Sequence, residues 1–349
     1  MTAITISTEI VTEQLLAEVA SLYAAEHYKT LLWSWQFAPR FGQEVQCIVA
    51  RDYTKVIGFN ATMPIQLIDN LGEINNAIWS CDFIVAKDYR GKGIGSAIKD
   101  EMRNRFTVPI VSLGISDSAF PLLLKKNWQS PVRLDVWDMV LKPQTFKQIF
   151  LYAWTKACRL FFSLHNQKLR KNYTAQELPG LPQDSVINKL WDLHRISSRC
   201  VEVFRCYDYL HWRYEKIPFR PYKYLSIGAV GADVRALIIF RETKGNHIEV
   251  VDFIGEFNEG VISSACAFWL THYSSAIAIH WNNSVRALSQ GLIANGFVKK
   301  SYGSRFATLS SMADQDWALV AGDSDGDFLR VAKEFSETPT SSTLHPRHT

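Results

Sequence analysis

Residues 82–102 read DFIVAKDYRGKGIGSAIKDEM, a strand pattern that passes through a glycine-rich bend and straight into a helical pattern. The apolar run Phe83-Ile84-Val85-Ala86 gives way to Arg90-Gly91-Lys92-Gly93-Ile94-Gly95, and Ser96 lies just inside the helix. Glycine has no Cβ, so successive backbone N–H groups can approach and converge on one anion. The positive end of the helix dipole points at the same place. The arrangement suits a pyrophosphate, with the Ser96 hydroxyl as an added donor. It has neither the GxGxxG spacing of dinucleotide folds nor the GK[ST] ending of a nucleotide P-loop.

Working outward, residues 12–27 carry apolar groups at helical spacing behind Thr12, a suitable N-cap. An aromatic stretch, LLWSWQFAPRF, precedes the strand-like runs VQCIVAR and KVIGFNATM. The run AIWSCDFIVA leads into the glycine bend; after its helix come a strand in VPIVSLGIS, a short helix ending near Asn127-Trp128, and a strand in LDVWDMVLK. The expected fold class is α/β, a mixed and largely antiparallel twisted sheet flanked by helices.

The segment resembles motif A of the GNAT acyltransferase superfamily, [RQ]xxGx[GA], with Arg90, Gly93 and Gly95 at its fixed positions and Val85 on the strand before it. The resemblance covers roughly residues 12–142. It implies a loop (Arg90, Gly91, Lys92, Gly93, Ile94, Gly95, Ser96) that binds the pyrophosphate of acetyl-CoA, the cosubstrate, and a strand (Phe83, Ile84, Val85) that pairs with the pantetheine arm. It also implies an N-acetyltransferase in which an acceptor amine attacks the thioester directly. The tyrosine that often protonates the departing thiolate in that family is Leu123 here, and the glycine of its glycine-aromatic pair is Asn127.

Such a transfer needs a proton acceptor near the strand. Asp82 is the first candidate, followed by Glu73 and Asp117; alternation places Ser80, Asp82 and Ile84 on one face. The alternative is a catalytically weak or inactive GNAT-like protein that binds acyl-CoA, or has lost it, and acts through protein interaction.

Three anchors of the first half recur in order in the second. Trp33-Ser34-Trp35 matches Trp212-Arg213-Tyr214 at 212 − 33 = 179, Asp82-Phe83-Ile84 matches Asp252-Phe253-Ile254 at an offset of 170, and Asn127-Trp128 matches Gly296-Phe297 at 169. The expected organisation is a tandem duplication: residues 1–142 binding acyl-CoA, a basic aromatic helical linker at 143–182, a degenerate second copy at 183–322 without the glycine loop, and a partly disordered tail at 323–349. The second half bears a looser likeness to two-lobed GNAT-like proteins linked to bacterial polysaccharide synthesis, which implies an amino sugar or sugar nucleotide as acceptor.

Residues 142–173 place Phe146, Ile149, Phe150, Ala153, Ala157, Leu160, Phe161 and Leu164 at helical spacing among lysines and arginines. The expectation is a helix packed between two domains with a solvated basic face; weak contact with an anionic membrane surface is the other reading. Asp323, Asp325, Asp327 and Glu334 have the spacing of a calcium loop, but Phe328 stands where that loop needs glycine. The stretch is read as a solvated turn with an N-cap, and no metal site is expected.

A net charge of +4 over 349 residues argues against wholesale nucleic-acid binding. No run approaches the about 18 apolar residues of a membrane span, and MTAITISTEI has no signal-peptide pattern. The six cysteines show no CxxC spacing and are read as free thiols in a reducing cytoplasm. The oligomeric state is left open.

Overall fold

The computed structural model describes residues 4–231 and 233–337. The first half runs β1 Ile4–Ile10, α1 Glu13–Ala20, α2 Trp33–Gln36, β2 Gln46–Asp52, β3 Lys55–Ile68, β4 Ile74–Val85, α3 Ile94–Arg105, β5 Ile110–Leu113, α4 Phe120–Lys125 and β6 Arg133–Val140. Two helices, α5 Phe146–Phe161 and α6 Ser163–Arg170, lead to the second half. That half runs β7 Tyr173–Leu178, α7 Asp184–Ser197, β8 Glu202–Val203, α8 Tyr207–Leu210, β9 Tyr222–Ala229, β10 Val234–Glu242, β11 His247–Gly255, α9 Glu259–His272, β12 Ala278–Asn283, α10 Arg286–Ala294 and β13 Val298–Leu309. A last helix, α11 Asp325–Ser336, follows a 3-10 turn at Ala321–Asp323.

All the strands belong to one mixed sheet in the order β1-β2-β3-β4-β5-β13-β6-β12-β11-β10-β9-β7, with β8 paired to β3. Most neighbours are antiparallel; β4–β5 and β11–β12 are parallel. From either edge inward the succession is alike, and the last strand of each half crosses to the other. β13 pairs with β5 from Phe306↔Leu113 to Leu309↔Ile110, and β6 pairs with β12 from Val140↔Ala278 to Asp135↔Asn283. β3 (KVIGFNATMPIQLI) is buried along nearly its whole length, as expected of a central strand covered on both faces. The largest apolar cluster draws on both halves, including Trp35, Phe59, Tyr214, Leu237 and Phe328.

The two aromatic anchors meet at the centre. Trp35 and Trp212 stack with centroids 4.8 Å apart, and each indole N–H donates to the other residue's carbonyl, at 2.9 and 3.4 Å. It is thus Trp35, rather than Trp33, that meets Trp212. The helix expected over 12–27 stops at Ala20 and continues as 3-10 turns, because Tyr23 and Glu26 leave helical dihedrals. β1 was not expected. It is an edge strand with exposed Ile4 and Ile10, and it shows little of the burial signal that reveals inner strands.

The turn before α11 is not solvated. Buried Arg205 donates from Nε to Asp252 Oδ1 at 2.6 Å and from Nη2 to both oxygens of Asp323 at 2.8 and 2.9 Å. Asp327 accepts from the Tyr222 hydroxyl at 2.6 Å and from Arg241 at 3.3 Å. Residues 338–349 of the expected tail lie outside the described residues. Among the described residues no helix is long and apolar enough to cross a membrane, and no group of acidic, histidine or cysteine side chains could hold a metal ion.

Removing Arg205 would leave two carboxylates buried without their cation. Arg205→Leu is expected to lower stability by about 3–5 kcal/mol, read from urea unfolding; a loss below about 1 kcal/mol would show that the cluster does not hold the α11 turn.

Candidate active site

The glycine bend is open. Gly91 and Gly93 have φ of 77° and 81°, where a side chain is strained, and a Cβ on either would meet no atom within 4 Å. Gly93 is the N-cap of α3, and no side chain caps that helix. Its first-turn N–H groups have no intrahelical partner of their own and, among the described residues, no side-chain cap; buried Ile94 and half-buried Ser96 lie in that turn. Arg90 is exposed, and its Nε donates to the Val85 carbonyl at 2.9 Å, which ties the bend to the end of β4. Gly95 packs on Phe83, whose ring atom would lie 3.1 Å from an added Cβ.

The β4–β5 ladder pairs Ile78↔Ile110 and Trp79↔Val111, and just beyond it the Ser112 hydroxyl donates to the Ser80 carbonyl at 3.2 Å; β4 itself continues to Val85. Beyond that point lies a cavity of about 280 Å3, bounded by Ser80–Phe83 of β4, Ser112 and Leu113 of β5, and Leu123 of α4. Lys29, Lys99, Asp82 and Asp325 bring charge to its wall.

Asp82 sits at a register shift in the β3–β4 ladder with φ of 49°. The shift breaks the expected alternation, so Ser80, Cys81, Asp82 and Phe83 all reach the cavity. Asp82 Oδ2 accepts from Gln36 Nε2 at 3.1 Å, and Lys29 Nζ stands 3.5 Å from Oδ1. Burial raises the Asp82 pKa, with Lys29 opposing.

Lys99 of α3 is buried and donates to Asn60 Oδ1 at 2.6 Å and Ser80 Oγ at 3.0 Å. No carboxylate is paired with it, and burial pushes its pKa down to about 7. Asp325 is raised to about 7, first by burial and then by the charge of Asp82, with Lys29 opposing. It reaches the cavity because Gly114, at the end of β5 with φ of 87°, lets α11 come close: a Cβ there would lie 3.3 Å from Asp325 Oδ1.

Of the residues that line the cavity, the sequence reading named Asp82 and Phe83 as site residues and did not so name Lys99 or Asp325. Asp325 was taken as part of a solvated turn; only chain folding brings it beside β4, though an Asp just after a Ser N-cap was a visible sign of a helix start. Glu73 and Asp117 are corrected. Glu73 lies in the exposed β3–β4 turn, and the exposed Asp117 carboxylate pairs with Arg305 at 2.6 Å; neither lines the cavity. Leu123 does line it, and Asn127 has the positive φ, 62°, expected of a residue in place of glycine.

The corresponding places in the second half are filled. Asn258 caps α9, its side chain accepting from Gly260 N at 2.7 Å. Asp252 is held by Arg205 and by the Tyr214 hydroxyl at 2.7 Å.

No family profile and no curated protein matches the sequence. Solved structures do match. A protein from Enterococcus faecalis V583 described as a probable N-acyltransferase aligns with TM-score 0.60 and 11% identity, over 87% of this chain and 72% of that one. A GCN5-related N-acetyltransferase from Anabaena variabilis aligns with TM-score 0.58 and 14% identity over the same shares. Saccharomyces cerevisiae N-myristoyltransferase, solved with myristoyl-CoA, aligns with TM-score 0.55 and 11% identity over 88% and 80%. The fold is GNAT-like. At these identities the likeness concerns the fold alone.

Unfolded Lys99 keeps its proton up to about pH 10, whereas the folded residue releases it near pH 7. Between those values the unfolded state binds more protons, so this residue makes stability rise with pH, by about 1.4 kcal/mol per unit. Urea unfolding of wild type and Lys99→Met from about pH 7 to about pH 9 should show that slope in wild type relative to the variant; parallel curves would mean that Lys99 is not buried as an amine.

Proposed function

We propose that this protein is an acyl-CoA-dependent N-acyltransferase that uses acetyl-CoA. The observation that carries this reading is the uncapped α3 N-terminus behind Gly93, at the end of a strand that has parted from its parallel neighbour around a charged cavity. Backbone N–H groups of Ile94, Gly95 and Ser96 would hold the pyrophosphate. The free edge of β4 beyond Asp82, at Phe83, Ile84 and Val85, would take the pantetheine arm and bring the thioester toward the cavity. The structural neighbours support acyl transfer through their fold and their described activities.

In the cavity a neutral acceptor amine attacks the thioester carbonyl. The C–N bond forms, the C–S bond breaks, and the amine proton passes to Asp325, whose pKa near 7 suits a base at neutral pH. Asp82 raises the basicity of Asp325, and Lys29 tempers it. Lys99 stands in for the tyrosine that Leu123 replaces and returns a proton to the CoA thiolate. The small volume favours a compact acceptor such as an amino sugar.

We read residues 1–142 and 183–322 as two copies of one GNAT-like unit joined by 143–182, the second having lost its cofactor bend. The repeated strand succession and the Trp35–Trp212 reciprocity support this. One observation favours a non-catalytic binder: among the described residues no tyrosine lines the cavity. Tight acetyl-CoA binding without turnover of any amine would decide for it.

Calorimetry with acetyl-CoA should show binding to wild type and a loss of at least about tenfold in Gly93→Asp, which puts a strained carboxylate in the cradle; equal affinities would remove the cofactor assignment. Asp325→Asn should lower kcat by about 10²-fold or more with acetyl-CoA affinity kept. The wild-type rate should rise with pH as Asp325 loses its proton and fall again as Lys99 loses its own, giving a maximum at about pH 7. Asp82→Asn, by removing a negative neighbour, should shift that rise to lower pH; an unchanged profile would exclude the carboxylate pair.

A further inference from the structure

Helices α5 and α6 are turned the opposite way from an ordinary packed linker. Cys158 is buried and Leu151, Phe162 and Leu169 are half-buried, but two of the contacts with the second half are made by buried polar side chains. Buried Thr155 donates to the Gly296 carbonyl at 2.9 Å, and buried Asn166 donates to the Ala294 carbonyl at 3.0 Å. The apolar stripe faces out: Phe146 is 77% exposed, Phe150 66%, Leu160 77%, Phe161 83% and Leu164 79%. Ile149 and Trp154 extend it. The expected burial of this stripe between two domains is therefore corrected. Such an extent of exposed apolar surface marks an interaction site.

The charge that the segment itself carries is of one sign, although Glu259 of α9 meets His165 at 3.1 Å. Residues 142–173 hold seven Lys or Arg and no Asp or Glu, more positive charge than the +4 of the whole chain, so the remainder is net acidic. On the helical wheel Lys147 and Lys156 flank the stripe on opposite sides. Beside Leu160 a groove of about 320 Å3 is lined by Lys156, Arg159 and Arg170 together with Asn166 and Ser263. Asn166 Oδ1 and Ser263 Oγ are buried there without a hydrogen-bond partner. Among the described residues, no carboxylate is paired with these three cations.

We infer that α5 and α6 form a docking surface for an anionic phospholipid bilayer. The aromatic and leucine side chains enter the headgroup–acyl boundary, with lipid phosphates against the flanking lysines and in the Lys156–Arg159–Arg170 groove. A second copy of this chain is the weaker occupant, since pairing the stripes would bring two uniformly cationic segments together. The surface stands apart from the β4–β5 cavity and does not depend on the acyltransferase reading.

Co-sedimentation of the full chain with vesicles tests this. Binding to phosphatidylcholine vesicles containing phosphatidylglycerol is expected, with little on phosphatidylcholine alone, and it should weaken as salt rises. Phe150→Glu combined with Phe161→Glu, both exposed and so compatible with folding, should reduce binding at least about tenfold. Arg159→Gln with Arg170→Gln should reduce the preference for anionic vesicles while leaving the thermal unfolding transition in place. Inorganic phosphate that occupies the groove without vesicle binding would overturn the inference. So would equal binding of wild type and the Phe variant, or a dimer that the Phe variant dissociates.

Discussion

The exchange of terminal strands is the constraint on which the molecule rests. β13 lies between β5 and β6, so neither half completes its hydrogen-bonded ladder with its own last strand. An unpaired inner edge would leave backbone groups without partners in the core, at a cost comparable to lost hydrogen bonds. The exchange also settles where the chain goes next. From the end of β13 it returns over the first half, where Phe328 of α11 packs edge-on against Trp35 and Leu329 lines the cavity. Asp325 is thereby delivered to β4 from more than two hundred residues away along the chain. The Arg205 cluster fixes the turn that precedes it.

The halves share a strand succession but differ in how they treat polarity. α3 has no side chain capping its first-turn N–H groups, whereas α9 satisfies one with Asn258. Asp82 keeps a carboxylate toward a cavity with a lysine 3.5 Å away, whereas Asp252 is locked by an arginine and a tyrosine. Strained or incompletely satisfied groups tend to concentrate at working sites. Where β4 and β5 part, Asp82 combines a positive φ with a buried oxygen, Oδ1, that has no hydrogen bond.

The connecting helices invert the usual relation between burial and polarity. Thr155 and Asn166 reach backbone carbonyls of the second half, so the polar side of α5–α6 is satisfied by protein and the apolar side is left to whatever lies outside. The exposed stripe has the area and aromatic content of a contact surface rather than of ordinary solvent-facing residues.

The glycine bend, its strand and its helix were legible because their causes are local: glycine permits positive φ, apolar alternation marks strands, and a dipole follows from any helix start. The class of fold and the place of Asp82 followed from the same signals. Three things were not legible. Asp325 depends on contacts across the whole chain, and its calcium-like spacing suggested solvent instead. Lys99 looks like any helix lysine until α3 is packed on β4 and Asn60 and Ser80 receive its amine. The periodicity of residues 146–164 showed that an apolar stripe exists but not which way it faces. A helix's own pattern fixes the angle between its faces, while its neighbours fix its rotation. Here Thr155 and Asn166 turned it outward.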